Sequence, residues 1–225
     1  MKRYLILTIM LLAAHGFIFA QDTTGKQSTQ SNNDEVQTLF SGKSHHNKRL
    51  LGWYVGPTAT YTQFGGKSAF MPGIEGGLII DHFFSIGLAG SITANVNNLY
   101  YQKVQDTMNA YFVGGYGGVR MEFTVFPKFP VHFSFPLLIG GGSSAYLHKY
   151  NNLHNGSNNG DYEVIEWNTF FVLEPGIRAE VNILKFMRFW IGGTYRWVPN
   201  YQLLKTSGDF MSNFNISAGL KFGKF

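Results

Sequence analysis

From Leu51 onward, apolar and polar residues alternate with a period of two, the pattern of β-strands that show different environments on their two faces. The stretch FFVLEPGIRAEVNIL at 170–184 carries it most sharply. Phe171, Leu173, Pro175, Ile177, Ala179, Val181 and Ile183 fall on one face, and Glu174, Gly176, Arg178, Glu180 and Asn182 on the other. A helix would join Glu174 to Arg178, but it would throw Glu180 to the far side and hold Pro175-Gly176 in its interior. Burying a charge costs several kcal/mol unless it is paired. A strand with acids and bases on one face therefore requires a matching set from its neighbours.

The same split recurs along the chain. Val113, Gly115, Gly117, Val119, Met121, Phe123 and Val125 alternate with Gly114, Tyr116, Gly118, Arg120, Glu122 and Thr124. Phe189, Ile191, Gly193, Tyr195 and Trp197 alternate with Arg188, Trp190, Gly192, Thr194 and Arg196. Phe214, Ile216, Ala218, Leu220 and Phe222 alternate with Asn215, Ser217, Gly219 and Lys221. Weaker versions cover 52–62, 70–80, 83–94 and 131–147, which predicts eight strands of roughly ten residues or more, enough to cross a bilayer when tilted. Asp81-His82, Pro127 to Pro130 and Leu184-Lys185 read as tight turns, while 95–109, 148–166 and 199–209 read as long polar loops. The loop near Gln63 to Lys67 is short. Tight turns at one end and long loops at the other predict an all-β, antiparallel, up-and-down transmembrane β-barrel. Tyr61, Tyr100, Tyr101, Tyr146, Tyr150, Trp167, Tyr195, Trp197 and Tyr201 cluster near the loop ends, where an interfacial aromatic girdle is expected.

A soluble ligand-binding barrel also has period two, but it turns its apolar face inward and its charges outward. Here the few strand charges share a face with small residues, and the opposite face is almost unbroken apolar, as lipid demands. Charged residues make up only 14% of the chain against about 25% in soluble domains. The N-terminus supports export: residues 1–20 combine Lys2 and Arg3, an apolar run from Tyr4 to Ala14 and a final Ala20, a signal peptide too short to span as a helix. Residues 21–48 are polar and read as a flexible leader, and 49–225 as the barrel. His45 and His46 in that leader lack further ligands, and no metal or other cofactor is expected. The formal charge of +5 falls to 5 − 2 = +3 if Lys2 and Arg3 leave with the signal, too small and scattered for a nucleic-acid partner, and the absence of cysteine removes disulfides, thiolate metal sites and Cys nucleophiles.

An eight-stranded barrel has an interior about wide enough for side chains. The inward set contains Glu75, Glu122, Glu174 and Glu180 against Arg120, Arg178, Arg188, Arg196 and Lys221, a near balance. Pairing across Leu184-Lys185 sets Glu174 about opposite Arg196 and Asn182 opposite Arg188. The expectation is a paired, packed lumen; the same residues would serve as a selectivity filter if the lumen held water. On this register, Glu174→Gln should destabilise the barrel by leaving Arg196 underpaired.

The signal, the eight alternating strands, the one-sided long loops and the terminal LKFGKF resemble the small outer-membrane barrel superfamily of OmpA and OmpX over 51–225. FPKFPVHFSFPLLIGGG likewise resembles small exported barrels without assigned chemistry. The resemblance implies residence in the bacterial outer membrane, contact with its lipid and lipopolysaccharide, and a C-terminal aromatic strand read by the barrel assembly machinery, with Phe222 and Phe225 in that role. Phe225 is out of phase with Phe222 and Leu220, so a terminal bulge or frayed end is expected. Lys103, Lys149 and Lys205 in the loops could face lipopolysaccharide phosphates or simply be solvated.

Some eight-stranded barrels modify lipids, and the lipid A deacylase family carries a His-x-Ser-Asn run. His132-Phe133-Ser134 is similar, with Glu122 on the preceding strand as orienting acid, His132 as base and Ser134 as nucleophile. Phe135 replaces the Asn, and the pair lies beside a tight turn rather than a long loop. The glycine-rich Gly114 to Gly118 has no following helix and is no phosphate loop. The reading is thus a non-enzymatic envelope protein acting in integrity or surface interaction through its loops, with a narrow solute channel as alternative and a lipid A hydrolase third.

Overall fold

The computed structural model describes residues 51–105, 108–150, 161–199 and 201–225. The expected signal peptide and leader, with His45 and His46, lie outside them. The strands are β1 (Leu51–Phe64), β2 (Lys67–Ile80), β3 (Phe84–Ile92), β4 (Tyr100–Gln105), β5 (Met108–Val125), β6 (Val131–Tyr150), β7 (Asp161–Leu184), β8 (Met187–Arg196) and β9 (Asn213–Lys224). They form one antiparallel sheet in the order β3-β2-β1-β9-β8-β7-β6-β5-β4, and β3 also pairs with β5. That last pairing closes an up-and-down ring of eight strands. The ninth, β4, folds back on the loop end of β5, from Tyr100↔Tyr111 to Gln105↔Met108.

The wall reaches further at the loop end than the alternation predicts. Residues 95–109 hold a one-turn 3₁₀ helix (Val96–Leu99), β4 and the start of β5. Of 148–166, both flanks are strand, since β6 runs to Tyr150 and β7 begins at Asp161. The reason lies in the register: Tyr146 pairs with Glu166 but Leu147 with Val164, so a bulge at Ile165 reverses the alternation. Beyond it Tyr162 and Val164 point outward, whereas before it Trp167 does.

The outer face is apolar along the ring, with Trp53, Val55, Ile74, Leu88, Ile177, Ile191 and Ile216 all exposed. The β2–β3 turn is tight, with Phe83 N donating to Ile80 O and positive φ at both Asp81 (51°) and His82 (60°). At the opposite end Gly65 (φ 51°) and Gly66 (φ 80°) make the β1–β2 turn. Gly65 is needed twice: a Cβ there would strike the Phe210 ring, and its N–H donates to Phe210 O at 3.3 Å.

Ile177 is 51% exposed on the apolar face. Ile177→Arg is expected to cost about 2–4 kcal/mol if that position lies near the bilayer midplane. Equilibrium urea unfolding in phospholipid vesicles measures it, and an unchanged midpoint would reject the outward assignment.

Candidate functional site

Every strand but the peripheral β4 sends small or polar side chains inward, and the larger ones span the lumen. Arg178 on β7 reaches Glu75 on β2, donating from Nη1 (3.3 Å to Oε1) and Nη2 (3.1 Å to Oε2), and from Nη1 to Glu122 on β5 (3.0 Å). Arg120 on β5 also pairs with Glu75. Lys221 on β9 donates to Glu122 and to Glu180 on β7 (2.6 Å). In ring order β7 and β2 are opposite one another, as are β5 and β9. Arg178–Glu75 and Lys221–Glu122 are thus two ties across the barrel's diameter. Glu75, Glu122, Glu180, Arg178 and Lys221 are all buried. The Arg178 guanidinium stacks on the Trp190 ring at 3.5 Å, a contact worth about 2 kcal/mol when desolvated. Trp190 fits because Gly219 faces it; a Cβ there would meet the ring at 2.7 Å.

Two expected partners do not meet. The register is the one anticipated, with Asn182 opposite Arg188 and Leu173 bridged to Trp197, which places Glu174 level with Arg196. Yet Glu174 Oε1 accepts from Thr194 (2.5 Å) and Asn215 (3.4 Å). Arg196 points to the loop end, donating to Met211 O (2.7 Å) and Thr62 Oγ1 (3.0 Å) beneath the Phe64 ring. A long guanidinium follows the acceptors that reach it, and the Met211 carbonyl comes from a loop that pairing arguments cannot place.

That loop explains a second departure. Of the expected girdle, Tyr61, Trp167, Tyr195 and Trp197 are exposed on the outside. Tyr100 packs on Tyr111. Tyr146 and Tyr201 are buried, and Tyr101 packs against the same inner cluster as Phe64, Phe112, Phe170 and Phe210. The Tyr150 side chain lies outside the described residues. Tyr201 and Phe210 stack at 5.8 Å, and the Tyr201 hydroxyl meets that of Ser144 at 2.6 Å. Burial pushes the Tyr201 phenol up to about 12. Residues of the β8–β9 connection, Leu203, Phe210 and Met211 among them, close this end from inside. The apolar residues Leu203, Leu204, Phe210 and Met211 within the β8–β9 connection were the available signal, and Tyr146 has the parity of the inward residues. At the other end the exposed aromatics include Phe83, Phe126, Phe129 and Phe186, in or beside the tight turns. Between the layers a cavity of about 10 Å³, bordered by Glu174, Arg178, Trp190 and Thr194, has room for about one water.

His132 and Ser134 both face the lumen, but they converge on Glu180 rather than on each other. Ser134 Oγ donates to Glu180 Oε1 (2.9 Å), and His132 Nε2 lies 3.3 Å from Oε2. Glu122 is opposite Pro136, not Ser134, and is engaged by Arg178 and Lys221. A serine whose proton is committed to a carboxylate, with no bond to the imidazole, lacks the nucleophile–base link that acyl transfer needs. Among the described residues no cluster of His, Asp or Glu is arranged to hold a metal.

Of the terminal bulge or frayed end expected, the second is closer to what is found, since Phe225 lies past the last strand pair. β9 pairs regularly with both β1 and β8 up to Lys224 and Phe222, without a bulge. Phe222 stays on the outer face with Leu220, while Phe225 keeps the inward phase and lays its ring on the Arg188 guanidinium at 3.9 Å. Cation–π contact gives the out-of-phase ring a place. Lys149 and Lys205 are exposed at the loop end, and the Lys103 side chain lies outside the described residues.

The two acids should respond differently to loss of charge. Glu180→Gln leaves Lys221 with Glu122 alone, takes one negative charge from a buried network that holds more bases than acids, and should cost about 3–5 kcal/mol. Glu174→Gln keeps an oxygen for Thr194 and should cost about 1 kcal/mol. Urea unfolding of both variants tests this, and equal losses would contradict the pairing.

No family model matches the sequence, and no curated protein does. Several solved structures resemble it. Neisserial surface protein A shares 10% identity over 78% of this chain and 97% of its own, with a TM-score of 0.50. Ail, the attachment invasion locus protein of Yersinia pestis, shares 12% over 77% and 98%, with a TM-score of 0.44. The N-terminal β-barrel domain of Pseudomonas aeruginosa OprF shares 10% over 76% and 96%, with a TM-score of 0.37. At such identities the likeness to the first concerns fold alone, and it agrees with the strand order, the closed ring and the apolar exterior. This chain has the fold of the small eight-stranded outer-membrane β-barrels.

Proposed function

We propose that this protein is an exported barrel of the bacterial outer membrane whose lumen is closed to ions and which acts, without catalysis, through its loop end in envelope integrity or surface interaction. The filled lumen carries the reading: the cross-barrel ion ties are followed by an aromatic layer that the β8–β9 connection completes. What remains for function is the wall beyond the membrane. β7 has 24 residues, against the 9–11 that a tilted strand needs to cross. Its projecting end displays Tyr162, Val164 and Trp167, with Lys149 on the paired strand and Lys205 on the next connection. Lysines beside aromatics suit lipopolysaccharide phosphates above an apolar leaflet. Phe222, on the outer face, and Phe225 are the candidates for contact with the barrel assembly machinery.

The narrow-channel reading rests on the charges that line the lumen. Planar-bilayer recording of the mature, folded protein separates the two. The closed lumen predicts no steady conductance. Steady ion-selective steps that change with Glu174→Gln would replace it with a channel.

A further inference from the structure

The buried ion network is complete without one of its members. Glu75, Glu122 and Glu180 are matched by Arg120, Arg178 and Lys221, three acids to three bases. Arg188 is a fourth base on the same network, and its Nη1 stands 3.9 Å from Glu180 Oε2. Glu180 is already occupied there. Its Oε1 accepts from Lys221 and Ser134, and its Oε2 faces His132. Whatever the protonation state of His132, it adds no negative charge for Arg188.

Arg188 is 3% exposed, and its Nε and Nη2 have no hydrogen-bond partner. Those two N–H groups lie on one edge of the guanidinium, the edge that grips a carboxylate or phosphate with two parallel bonds. A buried guanidinium edge without acceptors is costly, and Arg188 has its excess charge and its empty edge in the same place. Phe225 covers the face of the group, not that edge. It is the residue after the last strand pair, so it can swing aside without breaking the wall.

We propose that the Nε/Nη2 edge of Arg188 is an oxyanion site at the tight-turn end of the lumen, with Phe225 as its movable cover, and that it takes a phosphate group. The group would come either from a soluble phosphate or from the headgroup of an anionic phospholipid. The site is independent of whether the lumen conducts.

The test uses the full mature chain, labelled with ¹⁵N-arginine and refolded into phosphatidylcholine nanodiscs, with folding verified by heat-modifiable gel migration. The Arg188 Nε–H resonance is identified by its loss in Arg188→Lys, which keeps the charge but not the two-pronged edge. Sodium phosphate should shift that resonance saturably while chloride at equal ionic strength does not, and Phe225→Ala should lower the half-saturating concentration. If discs containing phosphatidylglycerol show the shifted resonance without phosphate, the lipid headgroup is the ligand. A resonance that ignores both phosphate and phosphatidylglycerol in folded protein, or one that chloride moves equally, overturns the proposal: the edge would then be satisfied by water alone.

Discussion

Hydrocarbon offers no hydrogen bonds, and the rest of this architecture follows from that. A strand facing lipid must satisfy every backbone group on its neighbours, so the sheet has to close. Here the first described strand pairs with the last, Trp53 with Lys224 and Tyr61 with Ile216, and β3 pairs with β5 past the inserted β4. Closure at eight strands fixes the width of the interior, and the width decides what fills it. Side chains from opposite strands just meet. Arg178 therefore touches Glu75 across a full diameter, with Gly219 on β9 leaving space for Trp190, on whose ring the guanidinium stacks.

The interior is layered along the barrel axis. Arg188, Lys221, Glu180 and His132 occupy the tight-turn end, Arg178, Glu75, Glu122 and Arg120 the middle, and Glu174 with Thr194 and Asn215 the next level. Arg196 joins this polar part to the aromatic layer, since its guanidinium lies under Phe64 and bonds to the carbonyl of Met211. An arginine suits such a boundary because its flat face accepts a ring while its edges still donate. The ionic part and the apolar part are thereby one packed body rather than two plugs.

How much of this was legible before folding depends on what a period-two pattern encodes. It encodes face, and in 113–125, 170–184, 188–197 and 214–222 the faces are as read, down to Asn182 opposite Arg188. It does not encode reach. Glu174 and Arg196 are level with each other and still bond elsewhere, because long side chains choose among acceptors from several strands and from a loop. Nor does it survive a bulge: past Ile165 the phase reverses, and polar residues on both faces hide the strand. Tyr146 shows the pattern being underused, since its parity with Ser134 and Ser144 already pointed it inward. The inward fold of 201–211 had Tyr201, Leu203, Leu204, Phe210 and Met211 to announce it, without the alternation that would assign them a face.

The two diametric ties join residues far apart in sequence, 103 positions for Glu75 and Arg178 and 99 for Glu122 and Lys221. No hairpin contains either pair, so neither can form while the sheet is still an open ribbon. Until β9 reaches β1, the four groups of these two ties line a concave surface without their partners across the diameter. That surface must stay wet while the convex one sits in lipid, and the drying of the interior is then the last event, coincident with closure. A barrel built this way has little to gain from partial zippering: the ties that hold it across the middle are absent until the seam is made, and they arrive together.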